Sequence, residues 1–291
     1  MTVNVEVLKP GLYSTIQDTG RFGYMSYGVP IGGAMDMYSH KLANLYLQNP
    51  KEAATLEITL SGPTLKFVQA TEIVITGADL SAKLDHAPLP LSVVVQVQPG
   101  AVLSFEGRNS GCRAYLGIRG GFQTEKVLGS RSWLEGVTPG NKLYKGMKLS
   151  YIANSKSGIS HPSDNSNAHI NEEPLDVNDA ISVFAGPEFS ALNAAQQEIL
   201  FNSSFHISSL NNRMGIQLDE LLPNSLTPII SGPVMPGTVQ LTPSGKLIVL
   251  MRDCQTTGGY PRILQLTKNG INQIAQRTTS EEVRWARCFF E

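Results

Sequence analysis

The sequence predicts a mainly β fold with a few helices, in barrels or sandwiches, divided into two halves. Short apolar runs bounded by Gly, Pro, Asn and Asp recur along the chain, and 27 Gly and 17 Pro fit such a turn-rich, strand-rich protein. At ~100–200 residues per typical domain, the length of 291 residues suggests two domains or one large one. A polar, small-residue stretch, Asn154 to Asn178, interrupts the pattern and reads as a linker or flexible loop. The expected organisation is therefore an N-terminal β-rich subdomain over 1–153, a polar linker or loop over 154–178, and a C-terminal β-rich subdomain over 179–291.

The elements follow in order. Met1 to Val7 alternates like a strand and lacks the basic region and apolar core of a signal peptide. Met35 to Gln48 has Leu42, Leu45 and Tyr46 at helical spacing and stops at Asn49-Pro50. Strands are expected at Glu72–Thr76, Leu91–Val97, Ala101–Phe105 and Arg113–Ile118, then at Ile181–Phe184, Thr238–Leu241 and Lys246–Met251. Glu188 to Leu200 places Phe189, Leu192, Ile199 and Leu200 on one side of a second helix.

Composition removes several classes of function. The chain is 41% apolar and 16% charged, as a globular protein is. A net charge of −1 gives no electrostatic case for nucleic acid or an anionic membrane. No apolar run approaches the ~20 residues that span a bilayer. Cys112, Cys254 and Cys288 are far apart, with no Cys-x-x-Cys pair; a reducing, cytoplasmic setting is expected. The histidines His40, His86, His161, His169 and His206 lack metal-ligand spacing, so no metal site is expected and each reads as a surface or structural residue.

Two polar loops carry the candidate chemistry. Arg252-Asp-Cys-Gln-Thr-Thr-Gly-Gly-Tyr-Pro261 lies between two apolar runs, Leu247–Met251 and Ile263–Leu266. An ordinary hairpin needs neither that length nor that polar variety. Gln17-Asp18-Thr19-Gly20-Arg21 through Tyr24, continuing to Gly28–Asp36, has the same character and adds an arginine suited to a carboxylate or phosphate. The structural alternatives are a long, internally satisfied turn for the first loop and an Asp18–Arg21 pair fixing the second. A site drawing on both loops would lie between the halves, where pockets concentrate. Cys254 sits in the first loop, but a buried small residue explains it better than a reactive thiol. No phosphate loop is present, since Gln240 stands where its first glycine belongs and a strand follows Ser244-Gly245-Lys246. Gly129-Ser130-Arg131-Ser132-Trp133 is not a nucleophile elbow. Gly146-Met147-Lys148-Leu149 only superficially resembles a biotin-attachment turn, and a strand edge accounts for it as well.

Taken in order, these segments resemble one family over nearly the whole chain. They are Thr15–Tyr24, Gly28–Pro30 with Ala34–Asp36, Leu56–Leu60 with Gly62-Pro63, Ile75–Asp79, Arg113–Phe122 and Leu128–Ser132. The second half adds Asn212–Gly215, Pro236–Gln240 and Gln255–Pro261. The family is that of the biotin-dependent carboxyltransferases, which includes allophanate hydrolase subunit 2 and the KipA-like C subunit of 5-oxoprolinase. The chain departs from it in its long polar linker and at Thr278–Trp285, where the family has Pro-Gly-Asp before an Arg-Phe strand.

The resemblance implies two cyclophilin-like β-barrel subdomains and a KipI-like (allophanate hydrolase subunit 1) partner. It also implies an ATP-dependent 5-oxoprolinase that opens 5-oxoproline to glutamate, with a lactam-utilisation-type protein as its third part. ATP is the expected co-substrate, bound here or on the partner, and no biotin attachment site is expected on this chain. A carboxyltransferase acting on urea with carboxybiotin is the alternative, and a non-catalytic antagonist of a kinase inhibitor is another. Within the first reading, Asp18 or Asp253 positions or deprotonates an amide N–H, and Tyr260 donates to a developing oxyanion. Arg21, Arg119 or Arg213 holds a carboxylate or phosphoryl group, and Gln17, Asn212, Gln255 and Thr257 supply neutral donors and acceptors.

Overall fold

The computed structural model describes residues 2–152 and 179–289. The expected linker, 154–178, lies outside the described residues. The chain forms two compact units, one from Met1–Gly20 with Met37–Pro174, the other from Arg21–Asp36 with Leu175–Glu291. The linear division expected from sequence leaves Arg21–Asp36 in the first half, whereas the contacts group this segment with the second.

The first unit holds β1 (Thr2–Lys9), β2 (Tyr13–Gln17), α1 (Met37–Tyr46), β3 (Thr55–Thr59), β4 (Thr64–Phe67), β5 (Thr71–Asp79), β6 (Ala82–Leu84), β7 (Ala87–Pro88), β8 (Val95–Val97), β9 (Val102–Phe105), β10 (Ser110–Ile118) and β11 (Lys148–Ile152). They make a six-stranded sheet, β11-β1-β4-β9-β6-β7, and a five-stranded sheet, β2-β3-β10-β5-β8. Alternation puts Val3, Val5 and Val7 of β1 inward. They meet Leu65 and Phe67 of the same sheet and Ile16, Leu56, Ile58 and Leu116 of the other in one core. Lys148 is part of β11 and pairs with Glu6, the strand edge the sequence allowed.

The five-stranded sheet has two contrasting faces. Ile16, Leu56, Leu116 and Ile75 are aligned across four strands and enter the core. One residue along, Thr15, Glu57, Tyr115 and Thr76 are aligned, and all four are buried. A period of two sends these rows to opposite faces. Helix α1 covers part of the polar face: Thr76 Oγ1 donates to Ser39 O at 2.7 Å, and His40 Nδ1 lies 2.9 Å from Thr55 Oγ1. The helix therefore buries Ser39, His40, Ala43 and Asn44. Leu45 and Tyr46, expected on its buried side, are exposed; the apolar contact is made instead by Ala43 and by Leu47, just past the helix, which pack on Val74 of β5.

The second unit holds β12 (Ile181–Ala185), α2 (Ala194–Asn202), β13 (Phe205–Asn211), β14 (Gly215–Leu221), β15 (Gly232–Pro233), β16 (Thr238–Leu241), β17 (Lys246–Leu250), β18 (Thr257–Gly258), β19 (Arg262–Leu266), α3 (Lys268–Ala275), β20 (Glu282–Val283) and β21 (Trp285–Arg287). Its main sheet has the order β20-β13-β14-β17-β16-β19-β12-β21. The terminal strands of that order are separated along the chain by Arg284 alone. An eight-stranded sheet whose ends must meet is nearly closed into a barrel, around Ile207, Leu218, Val239, Val249 and Leu264. Thr278–Trp285, where the family pattern fails, supplies this closure, and Trp285 is buried in the same core. Met35 also belongs to this core, so an apolar anchor ties segment 21–36 to the unit.

The expected second helix is divided. A 3-10 turn, Phe189–Ala191, precedes α2, which Asn193 and Gln196 cap reciprocally. Helix α3 is not among the expected elements; Thr267 caps it by accepting from Gly270 N–H, and Ile271, Ile274 and Ala275 pack inward. The run Leu91–Val97 yields only the short β8, with Val93 and Val94 exposed. Among the described residues no helix is long and apolar enough to cross a membrane.

Candidate functional site

The loop from Arg252 to Pro261 is not a hairpin turn. Strands β17 and β19 both pair with β16, which lies between them, so the chain must cross over a strand. Crossing explains the length that the sequence alone suggested was functional. It does not explain the side chains. Thr257 and Gly258 pair with Pro233 and Gly232 in a separate two-stranded ribbon. Ile229 N–H donates to Gly259 O at 2.8 Å and Val234 N–H to Thr256 O at 3.1 Å. Gln240 Nε2 lies 3.4 Å from Tyr260 O. A Cβ on Gly258 would lie 2.4 Å from that amide nitrogen, so a larger residue there would displace the Gln240 side chain from the loop.

Below the loop lies an ion pair. Arg213 Nε donates to Asp253 Oδ2 at 2.7 Å and Nη2 to Oδ1 at 3.0 Å, while Asp253 N–H donates to Arg213 O at 2.9 Å. The side chains are 6% and 11% exposed. Arg213 Nη2 also donates to Gly33 O at 2.6 Å, and Gly32 N–H donates to Arg252 O at 3.0 Å. The ion pair thus fastens the N-terminal glycine motif to the C-terminal loop. Gly32 and Gly33 have φ of +67° and +88°, which favour glycine. Asp36 at the end of the segment accepts from Gln276 Nε2 at 2.8 Å. Arg21 is buried in the same unit, its N–H donating to Ile31 O at 2.8 Å. Asn212 Oδ1 accepts from Met214 N–H and Gly215 N–H, which shapes the turn that presents Arg213. Gln255 and Thr257 are exposed, and Tyr260 is 39% exposed. Burial pushes the Cys254 thiol up to about 12, and the adjacent Asp253 charge adds to this; Cys254 is a packed small residue.

The first-unit candidates are engaged differently. Asp18 Oδ1 accepts from Gly20 N–H at 2.8 Å, Ser130 Oγ at 2.6 Å and Ser132 Oγ at 2.7 Å, and Oδ2 accepts from Arg131 N–H at 2.6 Å. Gln17 donates to Thr15 Oγ1 and to Trp133 O, while its Oε1 is buried with no hydrogen-bond partner among the described residues. Arg119 is bound to Glu72, with Nε donating at 2.5 Å, and to Leu47 O. His40 is fully buried, and burial lowers its pKa to about 4 against the pull of the Asp18 charge, so it is neutral at pH 7. No group of three or more His, Cys, Asp or Glu able to hold a metal exists among the described residues.

Arg21, Asn212, Arg213, Asp253, Gln255, Thr257 and Tyr260 therefore belong to one unit, and Gln17, Asp18 and Arg119 to the other. Sequence reasoning missed Ser130 and Ser132 as partners of Asp18, although Ser-Arg-Ser is part of the family pattern. It missed Glu57 with Tyr115, whose hydroxyl donates to Glu57 Oε2 at 2.8 Å. A glutamate inside Leu56-Glu57-Ile58 was the available signal. It also missed Arg262 and Gln240, because strand periodicity says nothing about which side chains reach a neighbouring loop.

Known proteins share this architecture. Residues 27–287 match the family described as carboxyltransferase domain, subdomain A and B. The chain is 32% identical to the C subunit of 5-oxoprolinase from Escherichia coli (strain K12), over 99% of this chain and 92% of that protein. It is 45% identical to the urea amidolyase of Saccharomyces cerevisiae over 44% of this chain and 7% of that protein. The solved structure of the Kluyveromyces lactis urea carboxylase superposes with a TM-score of 0.86 at 28% identity, covering 98% of this chain and 27% of that one. The protein thus spans nearly the whole of the E. coli relative and about a quarter of the solved carboxylase chain. By sequence and by fold, the chain belongs to the carboxyltransferase family of subdomains A and B.

Proposed function

We propose that this chain is a subunit of an ATP-dependent 5-oxoprolinase that works with a KipI-like partner and a lactam-utilisation-type protein. The observation that carries the reading is the end-to-end correspondence with the C subunit of a 5-oxoprolinase, 99% of this chain against 92% of that one. The yeast urea amidolyase match covers 44% of the chain.

The chemistry of the second-unit loop supports it. Gln255, Thr257 and Tyr260 are exposed and neutral. An amide, a hydroxyl and a phenol can meet the N–H and C=O of a lactam without leaving a buried charge unpaired. Tyr260 would donate to the lactam oxygen as negative charge develops there. Asp253 has both oxygens on Arg213; a remaining lone pair makes it an oriented acceptor for an amide N–H. Asn212 lies beside them in sequence and is exposed. ATP binds here or on the partner.

The test is reconstitution with the two partner proteins, followed by ATP- and 5-oxoproline-dependent glutamate formation. Glutamate from the full set, with little or none from the chain alone, is the expected result. Equal turnover by the isolated chain would refute its assignment as one part of a complex. The urea reading is favoured by the extent of the Kluyveromyces lactis superposition. Urea-dependent decarboxylation of carboxybiotin, with no glutamate formed, would replace the first reading with that one.

A further inference from the structure

The ribbon that carries Thr257 is too small to hold itself. Strands β15 and β18 are two residues each and, among the described residues, pair only with one another. An isolated two-stranded ladder is at best marginally stable in water. Functional side chains on such a ribbon need anchors from the rigid barrel if they are to keep a productive geometry.

Arg262 is placed to supply one. It is the first residue of β19, directly after Tyr260-Pro261. Its Nη1 donates across to Pro233 O at 3.0 Å, on the strand that pairs with Thr257. Its Nε and Nη2 are held by Glu188, at 2.9 Å to Oε2 and 2.7 Å to Oε1. Arg262 N–H also donates to Glu188 Oε2 at 2.8 Å, and Glu188 N–H to Arg262 O at 3.2 Å. The pair is 19% and 23% exposed, partly shielded from solvent. Gly186 permits the approach, since a Cβ there would lie 2.2 Å from Arg262 O. A fork-to-fork pair fixes the guanidinium plane, and the remaining nitrogen is thereby aimed at one carbonyl.

From this geometry we infer that Arg262, oriented by Glu188, is a positioning residue that sets the Gln255–Tyr260 loop against the barrel for the reaction. The inference rests on the loop being the lactam-binding element, as proposed above. Neither residue touches substrate; each acts through the ribbon.

The experiment uses Glu188→Gln, which keeps shape and removes the charge, and Arg262→Lys, which keeps charge and removes the fork. In the full-length chain, amide exchange at Ile229 and Val234 should accelerate roughly tenfold or more in both variants while barrel amides such as Val249 are unchanged. In the reconstituted enzyme, KM for 5-oxoproline should rise roughly tenfold with KM for ATP unchanged. A merely unstable variant would lower the amount of active enzyme and leave KM alone. Unchanged exchange at Ile229 and Val234 would overturn the anchoring role whatever the loop does. Faster exchange with an unchanged KM would overturn the positioning role. Failure of the 5-oxoprolinase reading itself would show separately, as absence of glutamate formation by the wild-type complex.

Discussion

Two loops of this protein look alike in sequence and behave differently. Gln17-Asp18-Thr19-Gly20 and Asp253-Cys254-Gln255 with Thr256–Tyr260 each combine an acid, an amide, a hydroxyl and glycine. Asp18 gathers two serine hydroxyls and two backbone N–H groups. Asp253 gathers one arginine, and its neighbours Gln255, Thr257 and Tyr260 remain open to solvent. The first acid organises backbone, which a carboxylate does well because it accepts several donors at once. The second is part of a clamp beneath exposed groups that can meet a ligand. Polar content alone does not separate these roles; the identity of the donors does.

The largest effect that would test this contrast is at Asp18. Asp18→Ala strips acceptors from Gly20 N–H, Arg131 N–H, Ser130 and Ser132, all at or near the interior. Buried donors left without acceptors should cost about 2–4 kcal/mol in total. Urea denaturation should show a lower midpoint with an unchanged slope. A loss under about 0.5 kcal/mol, in the range of ordinary surface substitutions, would mean that the hydrogen bonds around Asp18 are dispensable and that the acid is kept for chemistry.

Asp253→Asn should reverse the balance. Arg213 keeps its bond to Gly33 O, so folding should lose only about 1–2 kcal/mol. One amide group must now face an arginine N–H, which turns the loop's base, and turnover by the reconstituted complex should fall roughly 10²–10³-fold. Tyr260→Phe should leave stability within about 0.5 kcal/mol, because the side chain is 39% exposed. Turnover should still fall roughly 10²-fold if the phenol donates to the lactam oxygen. Wild-type kinetics for both variants would move the site away from this loop.

Much of this was legible in the chain and some was not. Val3, Val5 and Val7 announce an inward-facing strand, and strands at Thr238–Leu241 and Lys246–Leu250 fall where the apolar runs place them. Unusual polar content located both loops, and the family motifs include them. What sequence does not encode locally is partnership. Segment 21–36 joins the far half of the chain through Met35 and Arg213. Nothing near residue 35 states that its apolar side chain belongs to a core built from residues past 180. Helix α1 misled for a related reason: Leu45 and Tyr46 are its conspicuous apolar residues, but the sheet beneath it takes Ser39 and His40 by hydrogen bonds and Ala43 and Leu47 against Val74. The loop at 252–261 is long because β16 lies between β17 and β19, which requires the sheet order to be known.

A third carboxylate sharpens the comparison at the weak end. Asp253 has an arginine partner, which stays charged at any accessible pH. Glu220 has His206: Nδ1 lies 2.6 Å from Glu220 Oε1, and His206 N–H donates to Oε2 at 2.6 Å. The hydrogen bond to Glu220 raises the histidine pKa, with the Glu220, Glu282 and Asp219 charges adding to it. Burial works against ionisation of Glu220, but the hydrogen bonds from His206 leave its carboxyl below the ordinary range. The raised histidine contributes stability that is fully present below its unfolded pKa of about 6.5 and is lost as pH climbs through the folded value. The lowered carboxylate contributes stability that is present above about 4.3 and is lost as pH falls through its folded value. The pair should therefore stabilise most between those limits. Its side chains are 44% and 39% exposed, so solvent screening holds the effect to about 0.2–1 kcal/mol. Glu220→Gln should lower the urea midpoint at pH 5.5 and leave it nearly unchanged at pH 9. An equal loss at both values would show that Glu220 acts by capping the His206 backbone N–H and that the ion pair contributes nothing.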